Sequence, residues 1–136
     1  MKPWINSNEH EEFKTKLLYK ELSYKIIGIA ISVHKEFGSG FLEKVYENAM
    51  MVLFRKQGIE AEQQKPINVM FENEIVGSYF ADILVEDKVV LELKTVEKLT
   101  GVHEAQALNY LKATRKNLAI LFNFHSRSLE YQRIIL

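Results

Sequence analysis

Residues 89–95 read Val-Val-Leu-Glu-Leu-Lys-Thr, and no other stretch constrains the fold as strongly. A run this apolar predicts a buried strand. It nevertheless carries Glu92 and Lys94, two residues apart. Side chains at i and i+2 of a strand share a face. A carboxylate and an ammonium therefore stand side by side where a sheet ordinarily presents hydrocarbon. Charges buried without partners are costly, so the pair demands a salt bridge, a solvent-facing edge or a metal site.

The chain of 136 residues is long enough for one domain around a single core. Apolar residues make up 47% and charged residues 26%, an ordinary globular balance. With no cysteine, disulfides and thiolate metal sites are excluded. No stretch approaches the roughly 20 apolar residues of a membrane span, and residues 1–20 lack the apolar heart of a signal peptide. These features predict a soluble, cytoplasmic protein with no membrane partner. The net charge is zero, so overall charge does not point to nucleic acid. From Lys112 onward, however, Lys112, Arg115, Lys116, Arg127 and Arg133 face only one acid, Glu130. That is either a phosphate-facing patch or an ordinary solvated surface.

Hydrophobic spacing organises the rest. Residues 1–18 have weak periodicity and are expected to form a loose lead-in. Leu22, Ile26, Ile29, Ala30, Val33 and Phe37 recur every three or four residues, which predicts a helix over 18–37. Gly38-Ser39-Gly40 stops it. A second helix runs to about Gln57, with Leu42, Val45, Tyr46, Ala49, Met50, Leu53 and Phe54 on its apolar stripe and Gly58 beyond its end. Strands are expected over 60–71, with Pro66 marking an edge, and over 75–85 and 89–95. Turns fall at 72–74 and 86–88. Thr100 is placed to cap a helix to about Arg115, followed by strands over 117–124 and 129–136. The order α-α-β-β-β-α-β-β predicts an α/β fold with a mixed sheet. Residues 89–124 form a right-handed crossover, and the third strand is central.

The central strand sharpens the problem of Glu92 and Lys94. Asp82, on the preceding strand, is another lone charge in an apolar run. Directly opposed residues of an antiparallel pair point to one face. A three-residue turn at 86–88 sets Val85 against Val89 and Asp82 against Glu92. A two-residue turn sends the two carboxylates to opposite faces. Adjacent carboxylates repel, and a divalent cation removes that conflict; oxygen ligands favour Mg²⁺ or Mn²⁺. Lys94 beside such a site could orient or deprotonate a water, or stabilise charge on a phosphoryl group. The alternative is a plain ion-pair network on a half-exposed sheet. Glu43 and Tyr46 lie one turn apart on the second helix, with Glu43 at the border of the apolar stripe and facing the sheet. A Glu at a helix start is also simply favoured by the dipole. His103, Gln106, Ala107 and Tyr110 share a face of the third helix.

Taken in order, Gly40-x-x-Glu43-x-x-Tyr46, Asp82, Glu92-x-Lys94 and Gln106-x-x-x-Tyr110 resemble the GxxExxY group of the PD-(D/E)xK nuclease superfamily. The resemblance covers about residues 20–136. The Gln-x-x-x-Tyr element is similar to that of RecB-like nucleases, and the helix Glu to that of archaeal Holliday-junction resolvases. Ala81 precedes Asp82 where the superfamily signature has proline. The resemblance implies a restriction-endonuclease-like fold with helices flanking a central sheet. It implies metal ligands in Asp82 and Glu92, helped by the Leu93 carbonyl, and in Glu43. Lys94 becomes the catalytic lysine, while Gln106 and Tyr110 position water or phosphate. The activity implied is Mg²⁺- or Mn²⁺-dependent hydrolysis of a DNA phosphodiester by metal-activated water. DNA is favoured over RNA, and a homodimer is expected. The alternative is a catalytically weak or inactive module that binds nucleic acid or a protein partner.

Overall fold

The computed structural model describes residues 19–136. The lead-in expected over 1–18 lies outside the described residues. Helices α1 (Lys20–Phe37) and α2 (Glu43–Lys56) come first, followed by strands β1 (Ala61–Phe71), β2 (Glu74–Val85) and β3 (Val89–Lys94). Helix α3 (Gly101–Thr114) and strands β4 (Leu118–Asn123) and β5 (Glu130–Ile135) complete the fold. The element order matches that read from the sequence. No helix among the described residues is long and apolar enough to cross a membrane.

One mixed sheet runs β1-β2-β3-β4-β5. Only the β3–β4 pair is parallel, and α3 makes its crossover. β3 is central and buried along nearly its whole length, and β1 with its Pro66 is an edge strand. Each face of the sheet has its own core. Ile26, Ile29, Ala30 and Val33 of α1 and Tyr46, Met50 and Phe54 of α2 pack on Ile83, Leu91, Leu93 and Phe122. On the other face, Ala107 and Leu111 of α3 pack on Leu84, Val90, Ala119 and Leu121. Alternate residues of β3 and β4 feed the two cores, as a strand covered on both sides requires. These three layers are the restriction-endonuclease-like arrangement.

Local chemistry explains most boundaries. The 86–88 turn holds three residues, and Val85 pairs with Val89. Glu86 and Asp87 take positive φ there. The β1–β2 turn is shorter than expected. Phe71 pairs directly with Glu74, and Glu72 and Asn73 have φ of 50° and 65°. Two successive left-handed residues make the tight hairpin turn whose twist suits the flanking strands. Two stripe residues are also corrected. Leu42 is 81% exposed because it is the N-cap of α2 in extended conformation, outside the helical repeat. Phe37 closes α1 at the surface and stacks edge-on with Phe41.

Candidate functional site

The Gly40-x-x-Glu43-x-x-Tyr46 segment is built around a buried tyrosine. Gly38 and Gly40 take φ of 68° and 105°, a backbone that residues with a Cβ rarely adopt. The Tyr46 hydroxyl donates to the Gly38 carbonyl at 2.6 Å and accepts from the Phe41 N–H at 3.2 Å. Its ring stacks on Phe124 at 4.3 Å. Tyr46 thus ties the turn between α1 and α2 to the core and fixes where α2 begins. Glu43 sits in the first turn so positioned. It is more exposed than its place at the stripe border suggested. Partial burial, then the Asp82 charge, raise its pKa, and Lys94 lowers it. Glu43 therefore stands at the rim of the group formed by Asp82 and Lys94.

At the level of Asp82, the sheet loses its regular ladder on both sides. The β2–β3 pairing ends at Ile83↔Leu91. One step further, where Asp82 stands opposite Glu92 by count, the Asp82 carboxylate replaces a backbone acceptor. Its Oδ2 takes the Leu93 N–H at 2.7 Å. On the other side, Gln63 pairs with Ile83 and Lys65 with Ala81, and Gln64 between them is skipped. Gln64 has φ of 51°, a strained backbone for a residue with a side chain. The opening lets groups from α2 and α3 act on the same carboxylates.

Glu92 is 4% exposed, and its Oε1 is buried with no hydrogen-bond partner. Burial first, then the Asp82 charge, push its pKa up to about 8; Lys94 opposes the shift, and Glu43 and Glu47 add to it. Asp82 is raised more gently. Burial dominates and the Leu93 N–H counters it, with Glu47 raising and Lys94 and Gln64 lowering it further. Lys94 is half-buried at the end of β3 and is the cation felt by all three acids Glu43, Asp82 and Glu92.

From the α3 side, Tyr110 is half-buried, and its pKa is raised by burial and then by Glu92 and Asp82. Its ring lies 4.3 Å from that of Tyr79, whose hydroxyl is buried and unpartnered. Gln106, one turn earlier, is exposed. His103 is spent elsewhere: its Nδ1 accepts the Thr100 N–H at 2.9 Å and helps close the N-terminus of α3. The loop between β3 and α3 is held by Asn123, which is fully buried. Asn123 Oδ1 accepts from Val96 N–H and its Nδ2 donates to the Val96 carbonyl and Glu130, while Glu130 also accepts the Leu99 N–H.

The sequence reading missed Glu47. This residue is 3% exposed. Its carboxylate accepts from Gln63 Nε2 at 2.6 Å, Gln64 Nε2 at 2.9 Å and Lys44 Nζ at 3.0 Å. Through Gln64 it reaches the strained point of β1 opposite Asp82. The signal was present, since Glu47, Met50 and Phe54 share a helical face and Glu47 follows Glu43 by one turn. Tyr79 was missed too, because its neighbour Tyr110 is distant in sequence.

Among the described residues, no three acidic or histidine side chains converge into a ready-made metal cage. The donor set nonetheless suits a small hard cation. Such ions are often held by one or two carboxylates, with water completing the shell. Glu92 Oε1 is an orphaned buried oxygen, and Asp82 keeps one oxygen free of the Leu93 bond.

A family model described as the PD-(D/E)XK nuclease superfamily matches residues 20–134. No curated protein matches the chain. Among solved structures, the crystal structure of SSO0001 superposes with a TM-score of 0.51 at 18% identity. The match covers 92% of this chain and 61% of that one, so the chain spans less than two thirds of that protein's length. At this identity the likeness concerns the fold alone.

Proposed function

Because this chain belongs to the PD-(D/E)XK nuclease superfamily, we propose that it is a divalent-metal-dependent nuclease of the GxxExxY group that hydrolyses DNA phosphodiesters. The observation that carries this reading is the pairing of Asp82 with a buried Glu92 whose Oε1 has no partner, beside Lys94. Two acids crowded at a strand end are unfavourable by themselves, and a cation relieves both. Asp82 and Glu92 would hold Mg²⁺ or Mn²⁺, with Glu43 at the rim as the third acid and the Leu93 carbonyl as a further oxygen. When bound, the ion supplies Lewis-acid polarisation and a nucleophile at neutral pH.

The chain's own residues do the rest. Lys94 places positive charge beside the scissile phosphate and stabilises charge gathering on its oxygens. Glu43 accepts a hydrogen bond from the attacking water. Gln106 and Tyr110 present hydrogen-bonding groups from α3 and orient the phosphate. Glu47 and Gln64 act one step back, holding the backbone opposite Asp82. Under this reading residues 1–136 form one nuclease-like domain that works in the cytoplasm, on DNA in preference to RNA, as a homodimer.

The test is cleavage of duplex, single-stranded and branched DNA, and of RNA, in Mg²⁺, in Mn²⁺ and in EDTA. Metal-dependent cleavage is expected, with Lys94→Ala slower by roughly 10²- to 10⁴-fold. Equal cleavage by Lys94→Ala would remove Lys94 from the chemistry. Binding of DNA without cleavage in either metal would instead make this a binding module on a nuclease fold.

A further inference from the structure

The basic run that begins at Lys112 does not form one patch. Lys116 is spent on Asp87 at 3.2 Å, whereas Arg133 of β5 is half-buried. Its Nε and Nη2 are shut off from water and have no hydrogen-bond partner among the described residues. These two nitrogens form one edge of the guanidinium. Their N–H bonds run parallel and make the fork that grips an oxyanion with two bonds at once. Leaving that fork empty in the protein interior is costly. Ser23 of α1 is a second orphan: it is 3% exposed, and its Oγ is equally buried and unpartnered.

Both residues line one hollow of about 620 Å³ between the first turns of α1 and β5, together with Lys20, Glu21, Tyr24 and Ile27. That volume lies within the roughly 300–1,000 Å³ of ligand sites. Lys20, Ser23, Tyr24 and Ile27 recur at three and four residues, so one face of the helix forms the wall. The register separates the hollow from the carboxylate cluster. Arg133 pairs with Ile120 and Ile120 with Leu91, both of which belong to the core under α1 and α2. Glu92 follows Leu91 in an alternating strand and turns to the other face. The sheet stands between the two.

We propose that this hollow binds the phosphate of a nucleotide. The Arg133 fork takes two phosphate oxygens, and the Ser23 hydroxyl donates to a third. A carboxylate has only two oxygens, and the fork engages both. The exposed ammonium of Lys20 adds positive charge at the mouth, partly offset by the exposed Glu21 carboxylate. Tyr24 is 81% exposed on the same wall, and its ring offers a face on which a base stacks. Neither a metal ion nor Lys94 has a part in this site, so the inference stands apart from the nuclease reading.

The test is thermal unfolding and calorimetric titration of the full 136-residue chain in EDTA. The probes are inorganic phosphate, thymidine monophosphate, a 5′-phosphorylated thymidine tetramer and acetate. At about 10 mM, phosphate and thymidine monophosphate are expected to raise the melting temperature by mass action, and acetate is not. Arg133→Met is expected to melt higher in phosphate-free buffer, because an unpaired buried charge is gone. The same variant should bind thymidine monophosphate roughly tenfold or more weakly. Ser23→Ala should weaken both phosphate and nucleotide, and Tyr24→Ala the nucleotide alone. Lys94→Ala should bind thymidine monophosphate as the wild type does. A tetramer bound as tightly as the mononucleotide makes the ligand a strand end, and a rejected tetramer makes it a free nucleotide; both uphold the site. Acetate as effective as phosphate overturns the inference, as does a wild type that binds no phosphate or binds the nucleotide no tighter. Unchanged binding by Ser23→Ala overturns it too. An Arg133→Met that is less stable than the wild type would show that Arg133 already has a partner, and nucleotide binding lost in Lys94→Ala would move the ligand to the carboxylate cluster; each overturns it equally.

Discussion

The Leu93 N–H is bound by the side chain of Asp82, at 2.7 Å, where a neighbouring strand would normally supply a carbonyl. One carboxylate thus does two things. It closes the end of the β2–β3 ladder, and its charge raises the pKa of Glu92. Structure and site chemistry are linked at this residue, and substitutions there separate them.

Asp82→Asn keeps an oxygen for the Leu93 N–H but removes the charge. Asp82→Ala leaves that donor without its partner, which typically costs about 1–3 kcal/mol. The alanine variant should therefore be clearly less stable than the asparagine variant, while both lose metal-dependent cleavage. Urea denaturation of the two variants side by side checks this; equal stabilities would mean the bond contributes nothing.

Glu92 makes metal-free stability depend on pH in an unusual direction. Its folded pKa of about 8 lies well above the 4.5 of an ordinary glutamate. Between those values the folded protein keeps a proton that the unfolded chain has released. Stability is then full below about pH 4.5 as far as this group is concerned, and declines as pH rises through about 8. A shift of that size corresponds to an upper limit of roughly 5 kcal/mol. Urea melts in EDTA at pH 5.5 and 8.5 should show the decline, and Glu92→Gln should flatten it. Mg²⁺ should raise the melting temperature more at pH 8.5 than at pH 5.5. A wild type that is no less stable at the higher pH contradicts the assignment.

Glu47 gathers three donors into a nearly dry position. Replacing it with leucine takes the acceptor from the half-buried Gln64 amide, while exposed Gln63 keeps its bond to Asn48, and is expected to cost about 1–3 kcal/mol. Glu47→Gln keeps the shape and costs less. If Glu47 also steadies Gln64 opposite Asp82, Glu47→Gln should lower kcat with little change in KM. An unchanged kcat would confine Glu47 to the fold.

Tyr46→Phe removes only a hydroxyl, and with it the bonds to Gly38 and Phe41. A loss of about 1–2 kcal/mol is expected, together with faster amide exchange at Phe41. Unaltered exchange there would show that the ring alone holds the turn.

The register of this site was legible because it depends on counting. A three-residue turn at 86–88 sets Asp82 opposite Glu92, and side-chain alternation does the rest. The apolar runs of β3 and β4 were equally plain, since a strand buried on both faces leaves little room for polar residues. Leu42 was misplaced because a periodic stripe does not say where the first helical residue falls, and the cap position turned its side chain outward. Glu47 was passed over because an acid on a helix is ordinarily solvated. Only the fold shows that Gln63 and Gln64, sixteen and seventeen residues away, arrive to receive it. The gap in the ladder at Gln64 has no sequence signal, because a left-handed glutamine follows from tertiary packing.

The Asn123 clamp has a consequence for how relatives of this chain are recognised. Val96 and Leu99 are bonded from behind by Asn123 and Glu130. The path from Lys94 to α3 is therefore a spacer of fixed length, whereas the 72–73 turn lies at a free tip. A search pattern faithful to the molecule would hold the separation between Glu92-x-Lys94 and Gln106-x-x-x-Tyr110 rigid and let the hairpin vary in length. Inserting two glycines after Asn73 and, separately, after Glu97 would check it: the first should leave the melting temperature nearly unchanged, and the second should lower it.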